Sequence, residues 1–233
     1  MKYLIVIPAR GGSKGVKHKN IRVLLGKPMI EYTLDALIEA DIKDDIVVST
    51  DDTEIMDVVK PYTIKYSNIS IIVRPAEFAT DTSSTEDVVL HAVRFMKKTY
   101  EKSYDATVTM APNLPIKRAD TILRGLHAFE EVFKEFDSQV CFMATSEDMW
   151  VKKENGEFGR MFPNAPRRRQ DREPLYVEKG LLTITKCSSL METKSLWGTR
   201  IHGFEITEEE GIDIHDETDL IVAEEYIKKQ IRG

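Results

Sequence analysis

The sequence predicts an α/β fold built on a mostly parallel, doubly wound sheet. Short β-rich runs alternate with amphipathic helical stretches along nearly the whole chain, and the first β-rich run leads straight into a glycine-rich basic loop. Alternation of this kind puts helices on both faces of a parallel sheet. At 233 residues the chain is sized for one α/β domain, or one domain carrying a sizeable insertion. We read residues 1–233 as a single domain, with 146–178 as an insertion or flap.

"YLIVI" (3–7) is a buried-strand run. In 28–40, Met29, Ile30, Thr33, Leu34, Leu37 and Ile38 share one helical face, with Pro28 suited to the first turn. "DIVVST" (45–50) is a strand; the helical "DTEIMDVV" follows, with Asp51 or Asp52 as N-cap. "ISIIV" (69–73) is the next strand, and Ser83 with Glu86 is spaced as a capping box before another helix. "DATVTM" (105–110) is a strand. The helix beyond it carries Leu123, Leu126, Phe129, Val132, Phe133 and Phe136 along one stripe. "QVCFMAT" (139–145) is a strand, prolines and glycines break the pattern in 146–178, and "GLLTITK" restores it. "HGFEIT" and "GIDIH" read as closing strands before a last helix.

With 39 acidic against 33 basic residues, net −6, the chain lacks the basic excess of a duplex nucleic-acid binder. Its cations are nonetheless clustered, in 10–22 and in 167–172, which suits a small polyanion. Cys141 and Cys187 have no metal-type spacing and read as reduced thiols. No stretch approaches the ~20 apolar residues that span a bilayer, and the first apolar run is too short for a signal peptide. A cytoplasmic protein with no membrane or nucleic-acid partner is expected.

"IPARGGSKGVKHKN" (7–20) follows the first strand, where parallel sheets bind ligands. Gly11, Gly12 and Gly15 allow positive φ and let amides approach a phosphate, while Arg10, Lys14 and Lys19 add charge. The loop lacks the G-K-[ST] ending of a Walker A motif and the G-x-G-x-x-G of a dinucleotide fingerprint. His18, within it, reads as a solvated turn residue.

"PARGGSKGxxxKN" after the first strand resembles the signature of the N-acylneuraminate cytidylyltransferases, the CMP-sialic acid synthetases and their relatives for other nine-carbon sugar acids. "VSTDD" (48–52), "RPAEFATDTSSTEDVVLHAV" (74–93), "RRQDREPLYVEKG" (168–180) and "GIDIHDETDL" (211–220) are similar to later blocks of that family, in the same order. The resemblance implies a Rossmann-like sheet of the nucleotide-diphospho-sugar transferase type with a small dimerisation arm. It implies a homodimer that transfers CMP from CTP to a sugar acid and releases pyrophosphate. By the same resemblance Arg10, Lys14 and Lys19 are catalytic, acting on the phosphates. Ala9, Gly11, Gly12, Ser13, Asn20, Arg74, Asp81 and Thr85 fall on the nucleotide side. Asn113, Arg168, Gln170 and Tyr176 are implied to meet the sugar acid, with Arg169 and Glu178 beside them.

The chain departs from the family pattern in two places. "VTMAPNLPIK" (108–117) stands where many members read "LLQPTSPLR", so Ala111, Asn113 and Lys117 replace glutamine, threonine and arginine. The acceptor therefore need not be ordinary sialic acid. Near the end, Asp213 and His215 stand where the family has Asp-x-Asp for Mg²⁺. Read as a strand, 213 and 215 share a face, and Asp216 points away as a helix N-cap. Mg²⁺ prefers oxygen ligands, so Asp213 is the better ligand, His215 the weaker, and Mn²⁺ is an alternative. Two other readings stand beside this one: a same-fold enzyme using another nucleotide such as GTP with another sugar or sugar 1-phosphate, and a nucleotide-binding protein without transferase activity.

Overall fold

Strand β1 (Tyr3–Pro8) is buried along nearly its whole length, as an apolar run covered on both faces must be. The computed structural model describes residues 1–12, 18–80 and 82–232, the last three by backbone alone. Ser13, Lys14, Gly15 and Asp81, all assigned to the phosphate or nucleotide side, lie outside the described residues. A two-residue ladder, β2 (Val23–Leu24) with β3 (Lys27–Pro28), leads into helix α1 (Met29–Glu39). Then come β4 (Asp45–Thr50), α2 (Thr53–Lys65), β5 (Ile69–Val73), α3 (Thr85–Tyr100), β6 (Ala106–Thr109) and α4 (Ala119–Val132). The chain continues through β7 (Ser138–Thr145), the hairpin β8 (Trp150–Lys152) and β9 (Phe158–Arg160), and the long β10 (Leu175–Lys186). It ends with α5 (Cys187–Thr193), β11 (Ile201–Glu205) and α6 (Glu217–Arg232).

The central sheet has seven strands in the order β11-β7-β10-β6-β1-β4-β5. Strand β1 pairs in parallel with both β4 and β6, and β10 runs antiparallel to β6 and β7, so six of the strands point one way. Ile5, Ile7 and Val48 face a core completed by α1, α2 and α4. Leu4, Val6 and Val47 face a second core under α3 and α5. This is the expected doubly wound arrangement. Its strand order turns at β1, where β4 lies on one side and β6 on the other.

Four local expectations are corrected. Helix α3 is capped by Ser84, whose Oγ accepts from Asp87 N at 3.1 Å and donates to its carboxylate, so the box is Ser84–Asp87 and not Ser83–Glu86. On α4 the buried side is Thr121, Ile122, Gly125 and Phe129, whereas Leu123 is 48% exposed. Gly125 sets that rotation: a Cβ there would lie 2.4 Å from Leu182 on β10. The segment 212–216 is not a strand. The insertion ends earlier than expected, because 175–178 already pairs with β7 as part of β10.

Candidate active site

The chain leaves β1 at Pro8 and enters the crevice that the switch in strand order opens. A cavity of about 240 Å³ lies there, lined by Pro8, Arg10, Lys19 and Asn20 after β1, by Arg74 after β5, by Ser83, Ser84, Thr85 and Val88 at the start of α3, and by Ala111, Pro112 and Asn113 after β6. The first turn of α3 presents its amide end to this cavity, which favours an anion. Arg10, Lys19, Asn20, Arg74, Thr85 and Asn113 are thus brought together as the sequence predicts.

The loop glycines act differently from the expectation. Neither Gly11 nor Gly12 adopts a positive φ. Gly11 is required by close approach, since a Cβ there would sit 2.2 Å from Asp52 Oδ2. Its amide donates to Asp51 Oδ1 at 3.1 Å rather than standing open for phosphate. Ala9 is fully buried, and its amide extends the β1–β4 ladder to Ser49 O at 3.0 Å, so it does not line the cavity. Gly12 has open space where a side chain would project.

Arg74 is buried, its Nη2 donating to Ser49 O at 2.7 Å. Burial draws its pKa down; Asp51 opposes that shift and Arg10 adds to it. A cation held partly out of water beside a second cation is a strong attractor for a polyanion. Asn20 is also buried, and its amide donates to Arg10 O at 2.8 Å, fixing the turn that carries Arg10. Ser49, Asp51 and Asp52 were not counted among the site residues from the sequence, which expected Asp51 or Asp52 only as the helix cap that Asp52 provides. Their signal was the acidic, hydroxyl-rich "STDD" at the end of a strand.

Segment 212–216 is latched to the cavity wall. Lys19 Nζ donates to Ile214 O at 2.9 Å, Ile214 N donates to Asn113 O at 2.9 Å, and Asn113 Nδ2 donates to Asp213 Oδ1. Asp213 Oδ2 lies 3.1 Å from His215 Nε2. The two side chains therefore do converge, through a turn and not through strand alternation. Asp216 caps α6, its Oδ1 accepting from Thr218 N at 2.8 Å and Asp219 N at 3.1 Å, while Asp219 Oδ2 accepts from His215 N and Asp216 N. Among the described residues no three His, Cys, Asp or Glu side chains form a metal-holding group.

Residues 4–93, which hold the strand-one loop, "STDD", Arg74 and the start of α3, match the family model described as cytidylyltransferase. Along 95% of its length the chain is 28% identical over 230 residues to the N-acylneuraminate cytidylyltransferase of Streptococcus agalactiae serotype V. Over these stretches the chain is similar to cytidylyltransferases. It spans about half the length of that streptococcal relative, 52%. A second cytidylyltransferase, the pseudaminic acid cytidylyltransferase of Campylobacter jejuni serotype O:2, is 34% identical over 145 residues, 62% of this chain and 59% of the relative. The fold is shared with CMP:2-keto-3-deoxy-manno-octonic acid synthetase solved with CTP, at a TM-score of 0.69 and 18% identity over 99% of this chain and all of that one.

Two features of the chain lie away from the residues that line the cavity. Arg168, Gln170 and Tyr176 do not line the 240 Å³ cavity. Arg168 lies 3.6 Å from Asp171 with Gln170 beside its guanidinium, and Tyr176 donates to Glu205 Oε1 at 3.0 Å. Arg172, grouped with them by sequence, braces the flap from inside, donating to Ser146 O at 2.9 Å and Arg167 O at 2.6 Å. Behind the Ala111–Asn113 wall of the cavity, Lys117 is partly buried, its Nζ donating to Ala111 O at 2.8 Å and to Leu114 O. Burial pushes its ammonium down to about 7, with Asp213 and Cys141 opposing. Cys141 itself is pushed up to about 12 by burial.

Proposed function

We propose that this chain carries the transferase unit of an enzyme that moves CMP from CTP onto a sialic-acid-like nonulosonic acid and releases pyrophosphate. The observation that carries the reading is the cavity after β1, where Arg10, Lys19 and Arg74 converge on the amide end of α3 and the carboxylate of Asp213 is latched alongside. The relatives support it, since they are named for CMP transfer to N-acylneuraminate and pseudaminic acid. The oxygen of a sugar hydroxyl attacks the α-phosphorus, forming the new P–O bond as the bond to the β-phosphate oxygen breaks and the hydroxyl proton passes to water. Arg10, Lys19 and Arg74 hold the charge that gathers on the phosphoryl oxygens and on departing pyrophosphate.

Mg²⁺, when bound with the triphosphate, would neutralise phosphate charge. Asp213 would hold such an ion through its carboxylate, the hard oxygen donor that Mg²⁺ prefers. His215, 3.1 Å from the second oxygen of Asp213, orients that carboxylate. In His215→Asp the second carboxylate should sharpen the preference for Mg²⁺ over Mn²⁺, and unchanged metal dependence would remove His215 from the ion's surroundings.

Arg168 and Gln170 of the flap, and Tyr176 on β10, are proposed to serve a neighbouring copy in a homodimer, because they do not line the cavity of their own chain. Two free thiols, Cys141 and Cys187, fit a reducing cytoplasm. The test of function is direct. Purified protein with CTP and Mg²⁺ should release pyrophosphate with one or more of N-acetylneuraminate, legionaminic and pseudaminic acids, and not with GTP. Silence across the panel would sink the proposal.

A further inference from the structure

We infer that Lys117 is a positioning residue, whose partly buried side chain pins the Ala111–Leu114 turn so that Asn113 holds the Asp213–His215 segment against the cavity. The turn reads Ala111-Pro112-Asn113-Leu114-Pro115, and both prolines lack an N–H. It is therefore short of the amide donors that ordinarily tie a turn together. Lys117 supplies donors from inside, reaching back across its own loop to the carbonyls of Ala111 and Leu114, one on each side of Asn113. Ala111 N donates to Gly180 O at 3.0 Å, which fastens the start of the turn to β10. Asn113 thereby stands where its carbonyl receives Ile214 N at 2.9 Å and its amide meets Asp213.

An ammonium drawn even partly out of water into a loop carries a desolvation cost. An apolar side chain would fill the same space at less cost but could not hold two carbonyls. The charge is retained where it sets the geometry of a site. This inference rests on the proposed function for its kinetic consequence alone, and the exchange measurement below stands without it.

The test uses the full chain with Lys117→Met, Lys117→Arg and Asn113→Ala, each checked for folding by circular dichroism. Amide hydrogen exchange is read in peptides covering 211–216 and, as a control, β1. Lys117→Met should raise exchange in 211–216 about tenfold while β1 stays protected. Asn113→Ala should do the same, and the double variant should go no further than either single one. Lys117→Arg should recover most of the protection. In turnover, Lys117→Met should lower kcat about tenfold with KM for CTP within about twofold. Unchanged exchange in 211–216 in a folded Lys117→Met protein, or additive effects in the double variant, would overturn the inference. If the unaltered protein turns over no substrate, the proposed function fails while the exchange result still decides the role of Lys117.

Discussion

Gly11 packs so close to Asp52 that a single methyl group added there is expensive. Asp52 Oδ1 also caps α2, accepting from Glu54 N at 2.7 Å, so displacing this carboxylate disturbs both the loop and the helix. Gly11→Ala should lower stability by roughly 1–3 kcal/mol, the usual cost of overpacking, and raise KM for CTP; an unchanged melting temperature would contradict the close approach. Lys117 makes a second residue-scale prediction. Its folded pKa is lowered from 10.5 to about 7, so between those values the unfolded chain binds more protons and stability rises with pH. Urea unfolding from pH 7 to 9.5 should show this as a slope of up to about 1.4 kcal/mol per pH unit, absent in Lys117→Met. Equal slopes would refute it. At this scale residue types were legible and partners were not. "GGSKG" suggests phosphate chemistry, but the acceptor of the Gly11 amide is 40 residues away, just past the end of β4. Spacing within one loop carries no trace of it.

Elements were read more accurately than the faces they turn. The boundaries of β4 and β5 match the apolar runs, because a strand covered on both faces must be apolar from end to end. Helix α4 was misjudged by rotation: its apolar residues exceed what one face can bury, and the fit of Gly125 on Leu182 chooses which of them go inside. The paired placement of Asp213 and His215 was anticipated for a strand and is achieved by a turn held from outside, by Asn113 and Lys19. Ser84 has a double position, as cap of α3 and as cavity wall. Ser84→Ala should cost about 1 kcal/mol of stability and weaken CTP binding together, whereas the same change at Ser83 should leave the helix intact. Calorimetry with and without CTP separates the two.

For the molecule as a whole, the parallel sheet and its switch point were legible because alternation of strand and helix leaves few topologies open. The flap was legible as an interruption and no more, since proline and glycine mark where a pattern stops. It exposes Trp150 at 53% and Phe158 at 64%, apolar area that a second copy would cover. If the proposed dimer forms there, Trp150→Glu should shift sedimentation towards the monomer. An unshifted dimer would place the interface elsewhere.

The place of β10 has a consequence for the order in which the chain can assemble. It lies between β6 and β7, although it is made some 30 residues after β7 ends, at Thr145 against Leu175. A nascent chain that has completed β7 still carries two open strand edges where β10 will enter, on β6 and on β7 itself. Such edges invite pairing with a neighbour on the same message. Chains stopped at residue 174 should therefore aggregate, and those stopped just beyond Lys186 should not. The stage of synthesis at which this chain is most exposed to mispairing is the making of the flap, before the strand that seals the middle of its sheet has been made.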